Sequence, residues 1–179
     1  MSSEADISAP PSPKKGIDWN TLLPELVGWS PPTTPNALAA NLGRYAVAIG
    51  YLSVFWPEFT EYDGMVFSGD IIDEDGSKNI EKWLAALKGD KQAVESMLNH
   101  LHILDVQHPG LWSTATESQI IFIGLYLKEM WAAKLAQDFP TKHFIVELHE
   151  GTSDNLRDYQ ISFCQAPPNN NGKPITENS

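Results

Sequence analysis

The sequence predicts an α+β fold, and three observations carry that expectation. Apolar residues recur at helical spacing through most of the chain, and the period changes to strict alternation between His143 and Cys164. With 42% hydrophobic residues and six tryptophans among 179 residues, one sizeable core can be buried. About four helices are expected, the second long and buried, packed against a C-terminal antiparallel β-hairpin or small sheet. The domain should span 17–165. The flanking segments 1–16 and 166–179 are rich in Pro, Ser, Asn and Gly and should be disordered tails.

Asp18 can cap a short helical piece in DWNTLLPELVGW, before the SPPTTP breaker. Thr34 followed by Pro35 is a helix start, and the next stop is Pro57, which predicts one helix of about five to six turns. Its run YAVAIGYLSVFW is uncharged, yet Asn41 and Arg44 precede it and a membrane span needs roughly 20 apolar residues. A central buried helix is the better reading, with Gly43 and Gly50 allowing a neighbour to approach closely.

After a loop region with room for one short strand, MVF, Ser77 caps a helix that runs to Gly89, and Asp90 opens the next. Thr114 and Glu117 form a T-x-x-E capping box before a helix with Ile120, Ile121, Ile123, Leu127, Met130, Trp131 and Leu135, ending by Pro140. HFIVELH and YQISFC then alternate and read as an antiparallel hairpin with one apolar face. A lone hairpin is marginal in water, so this face must lie on helices, with MVF a candidate third strand.

Twelve basic against 23 acidic residues give a net charge of −11, and the two tails are neutral, so the excess sits on the domain. Such a surface repels phosphate backbones, which makes nucleic acid and anionic membrane poor partners. No glycine-rich phosphate loop is present. The polar, proline-rich start has no secretory core, which predicts a cytoplasmic protein. The single cysteine, Cys164, reads as a buried structural thiol.

Two constellations could carry chemistry. LNHLHILDVQH (98–108) holds three of the five histidines. Val94, Met97, Leu98, Leu101 and Leu104 form a helical stripe, and on that helix His100 and His102 point about 160° apart and cannot grip one ion. Residues two apart share a face only on a strand. His102 and Asp105, three apart, could still touch. On the hairpin, His143, Ile145, Glu147 and His149 share one side with Gln160, Ser162 and Cys164. The plainer readings are a helix end with partly exposed imidazoles and the solvent face of a half-buried sheet. Were His102, Asp105, Glu147 and His149 to meet, they would form the ligand set of a metal-dependent hydrolase. Ser162 lacks the G-x-S-x-G elbow of a serine hydrolase.

The third feature is charge. Between Arg44 and Lys78 the chain has no basic residue but seven acids. DIIDEDG resembles a calcium loop, yet with Gly76 at the sixth position Ile71 falls at the first ligand and Lys82 at the twelfth, which excludes an EF-hand. The acids interleave with Trp56, Phe59, Tyr62, Met65 and Phe67, and aromatic anchors beside carboxylates suit a basic partner. The predicted function is a non-enzymatic protein-binding module, in the manner of an immunity protein or antitoxin. It would dock a basic protein through segment 56–75, with contacts at Trp56, Glu58, Phe59, Glu61, Tyr62, Asp63, Asp70, Asp73, Glu74 and Asp75, and need no cofactor. The alternative is the hydrolase with His102, Asp105, Glu147 and His149.

Overall fold

The computed structural model describes residues 17–69 and 74–167, so nearly all of the two expected tails lies outside it. The chain divides into two units, Met1–Ile49 and Gly50–Ser179. Helices and antiparallel strands together give the α+β class that the sequence predicts.

In the first unit, α1 (Trp19–Leu22) is capped by Asp18, whose carboxylate accepts from the Asn20 N–H at 3.1 Å and the Thr21 hydroxyl at 2.7 Å. The Thr21 hydrogen bonds hold Asp18 below the usual carboxylate range. Pro24 then turns the chain into a single 3₁₀ turn, Pro24–Leu26. α2 (Pro35–Leu42) begins as expected, with the Thr34 hydroxyl accepting from the Ala37 N–H at 3.2 Å.

The long buried helix expected from Thr34 to Pro57 is not formed. The chain leaves the helix at Gly43 (ψ 154°) and re-enters it as α3 (Tyr45–Phe55), a separate helix with no buried residue. At the break the Gly43 N–H donates to the Ala39 carbonyl at 2.7 Å, and a Cβ on residue 43 would stand 2.4 Å from that oxygen. Only glycine tolerates this approach. The apolar residues of α3 are spread around its whole circumference, so hydropathy marks no face to bury. Nor does Gly50 admit a neighbouring helix: a Cβ there would meet nothing within 4 Å.

In the second unit, β1 (Phe59–Tyr62) and β2 (Met65–Ser68) form a hairpin closed by Asp63 (φ 49°) and Gly64 (φ 79°). Two consecutive positive φ values make the tight turn whose twist matches paired strands. α4 (Glu74–Ala86) follows, starting three residues before the expected cap at Ser77, and Gly89 (φ 81°) ends that segment by donating to the Leu84 carbonyl at 2.7 Å. α5 (Lys91–Leu98) is capped by Asp90.

β3 (Leu101–His102), β4 (Phe144–His149) and β5 (Gln160–Gln165) form a second antiparallel sheet in the order β3-β5-β4. The hairpin of HFIVELH and YQISFC is thus present with the expected residues sharing each face, but its third strand is Leu101–His102. MVF pairs instead with FTEY. α6 (Glu117–Asp138) is the longest helix, and its capping box is formed by Thr116 and Gln119, two residues after the expected Thr114 and Glu117. Thr114 hydrogen-bonds the Leu111 carbonyl, and Glu117 accepts from the Tyr159 phenol, so both are engaged elsewhere.

α6 lays Ile120, Leu127, Trp131 and Leu135 on Val146, Ile161 and Phe163 of the sheet. Gly124 faces Leu148 closely enough that a Cβ would stand 2.6 Å from its Cδ1, so the close approach expected at Gly43 and Gly50 occurs here. Phe163 is ringed edge-on by Phe59, Phe144 and Trp131 at centroid distances of 5.1, 6.1 and 6.0 Å. β2 is buried on both faces. Val66 joins this core, while Met65 and Phe67 pack with Ile80 and Val94 of α4 and α5.

α5 joins the two sheets through polar side chains. Glu95, 1% exposed, accepts from the Val66 and Gln165 amides at 2.7 Å each and from the Gln165 side chain at 2.6 Å. One turn later Asn99 accepts from the Ser68 amide at 3.1 Å and donates to the Val66 carbonyl at 2.8 Å. These two residues serve backbone groups of β2 and β5 that have no strand partner on that side.

Candidate functional site

The acidic aromatic segment is built differently from the expected docking face. Met65 and Phe67 are fully buried, Phe59 packs on Trp131 and Phe163, and Tyr62 packs on the second core. Among the expected aromatic anchors, Trp56, 39% exposed, is the one that faces solvent. Glu58, Glu61, Asp63 and Asp75 do point outward, but Glu61 pairs with Lys142 at 2.9 Å and Asp63 with Lys91 at 2.8 Å. Asp75 meets Lys78 at 3.5 Å, a solvent-exposed pair of little energetic weight. Asp70, Asp73 and the Glu74 side chain lie outside the described residues. Glu58 is exposed and has no ion pair among the described residues.

Trp56 and Glu58 lie on the wall of a groove of about 470 Å³. Leu52, Val54, Pro57, Leu101 and Trp131 make it apolar, and Ser53, Ser68, Gly69 and His100 supply its polar rim. Its floor is fixed by the Trp131 indole, which donates to the Val54 carbonyl at 2.9 Å and so ties the end of α3 to α6.

The histidines lie on extended chain. α5 stops at Leu98 because the Asn99 side chain is drawn into the hydrogen bonds with β2, and His100 and His102 follow at alternate positions leading into β3. His100 and His102 are therefore not parted by the roughly 160° that a helix would impose: their rings stand 5.4 Å apart at 84°. His100 Nδ1 bonds the Met97 carbonyl and His102 Nδ1 the Arg157 carbonyl, each at 2.7 Å.

His102 and His149 both pair with Gln160, one from either side of β5, which puts the three side chains in one row on one face of the sheet. On the same face Ser162, 5% exposed, shares a 2.8 Å hydrogen bond with His149 Nε2. His100, His149, Gln160 and Ser162, with Ala93, Ser96 and Met97 of α5, line a second cavity of about 470 Å³. This is the polar side that the alternation marks, but α5 covers part of it.

The hydrolase constellation does not assemble. Asp105 is exposed on a 3₁₀ turn (Ile103–Val106), and among the described residues no three His, Cys, Asp or Glu groups stand where they could hold one metal ion. Cys164 is half-buried, and desolvation pushes its thiol up, as suits an unreactive structural cysteine.

No family model, curated protein or solved structure matches this chain. Among the described residues no helix is long and apolar enough to cross a membrane.

Proposed function

We propose that the chain is a cytoplasmic, non-enzymatic protein-binding module that captures a basic partner at the start of the acidic segment. The observation that supports this reading is the groove at Trp56 and Glu58, an apolar cleft with an exposed indole and an unpaired carboxylate at its edge. A partner inserts an apolar side chain between Leu52 and Trp131 and sets a lysine or arginine against Glu58. The net charge of −11 draws such a partner in from a distance. An inhibitor of a cationic toxin would have this logic.

The contact set is narrower than the sequence predicts. Phe59 and Tyr62 serve the core, and Glu61 and Asp63 are already neutralised by lysines of the same chain. Binding therefore centres on Trp56 and Glu58. A photo-crosslinking residue placed at Ser53, on the rim of the groove, in the native cell tests this, followed by kinetics with the purified crosslinked protein. Glu58→Lys should slow association, most at low salt, and Trp56→Ala should speed dissociation about tenfold or more. A crosslinked protein that presents an acidic face, or one bound equally well by both variants, overturns the proposal.

A further inference from the structure

The geometry points to a binding site for a borderline divalent cation, of the class of zinc, copper(II) and nickel, on the imidazoles of His100 and His102. It shares only His102 with the hydrolase ligand set, and it stands whether or not the groove binds a protein. A carbonyl oxygen only accepts, so each neutral ring carries its proton on Nδ1, toward Met97 or Arg157. Each Nε2 is left with an unshared pair. A backbone carbonyl on one ring nitrogen is the outer-shell support that fixes the tautomer and orientation of a metal-binding histidine.

The spacing agrees. A zinc ion lies about 2.0–2.1 Å from a ring nitrogen, hence about 3.2 Å from the ring centre, and two rings at a tetrahedral angle then stand about 5.2 Å apart. The observed centroid separation is 5.4 Å. Residues two apart on extended chain share a side, which brings the rings together. His149 is not a third ligand, since its Nε2 is held by Ser162. With no third His, Cys, Asp or Glu in place among the described residues, water completes the shell, which sets the affinity in the micromolar range and leaves exchangeable positions. The acidic balance of the chain favours a cation.

The test uses the full chain without an affinity tag, stripped by a chelator. Zinc competition against a chromophoric indicator at pH 7.5 should show one micromolar site. His100→Ala and His102→Ala should each weaken it about tenfold or more, and His143→Ala should leave it unchanged. Copper(II) bound to the unaltered protein should show two equatorial imidazoles by electron paramagnetic resonance, a readout that does not depend on the variants folding. Zinc binding no tighter than millimolar, an equal loss in His143→Ala, or a single coupled imidazole would overturn the assignment.

Discussion

Replacing Glu95 should cost more stability than any other single polar change in the molecule. Its carboxylate accepts three hydrogen bonds inside the protein, from the Val66 amide, the Gln165 amide and the Gln165 side chain. In Glu95→Ala the Val66 amide, on a residue with no exposure, loses its partner and cannot reach water. Such an orphan costs about 1–3 kcal/mol. The half-buried Gln165 amide recovers part of its loss from solvent, and the lost Cγ methylene adds about 1 kcal/mol. The sum is about 4 kcal/mol, within the roughly 3–5 kcal/mol seen when one member of a buried charged network is removed. Against a total of about 5–15 kcal/mol this is a large fraction. Glu95→Gln keeps the shape and one acceptor but turns an NH₂ toward an N–H donor, and should cost about 2 kcal/mol. Urea unfolding gives both values, and amide exchange should lose protection first at Val66 and Gln165. If Glu95→Ala lies within about 1 kcal/mol of the parent, or is milder than Glu95→Gln, the carboxylate does not join the two sheets in the way described.

Gly43→Ala removes the glycine that permits the break, and the 2.4 Å approach to the Ala39 oxygen becomes impossible. The segment 35–55 should gain helix at residues 43 and 44, read from backbone chemical shifts; unchanged shifts there would refute it. The hydrogen bond to Glu117, reinforced by burial, pushes the Tyr159 phenol up to about 12 from an ordinary 10.0. The raised value favours the protonated phenol in the fold, so its stabilisation is complete below pH 10 and is lost between pH 10 and about 12. Tyr159→Phe should lack that part of the alkaline transition, and identical unfolding profiles over this window would count against it. Burial raises the Cys164 thiol, which keeps its thiolate scarce near neutrality. Alkylation at pH 7.5 should be much slower in the folded chain than in urea, and equal rates would contradict the placement.

The elements best read from sequence are those whose period is unambiguous. Ile120, Gly124, Leu127, Trp131 and Leu135 recur every three or four residues and form the buried stripe of α6, and the alternation in HFIVELH and YQISFC sorted their residues onto the two faces correctly. The hairpin at 59–68 was also legible, since Asp63-Gly64 between FTEY and MVFS is a strong two-residue turn signal. The uniformly apolar MVF obscured it, because a strand buried on both faces shows no alternation. α5 misled for a different reason. Its buried face is Val94, Glu95 and Asn99, while Met97 is 43% exposed. A polar residue buried by a hydrogen bond 30 or more positions away leaves no trace in local hydropathy, so the apparent helical stripe through Leu101 and Leu104 overran the true end at Leu98. That error parted His100 from His102, and it hid the pair that the extended chain brings together.

The way α5 closes the two sheets bears on solubility. Strands whose amides and carbonyls lack neighbours act as templates for other chains, and many proteins blunt them with charges, prolines or bulges. Here one carboxylate and one carboxamide, a single helical turn apart, occupy such rows on β2 and β5 together. Fraying of the eight-residue helix that carries them would bare both rows at once and convert a small local opening into a nucleus for intermolecular β-pairing.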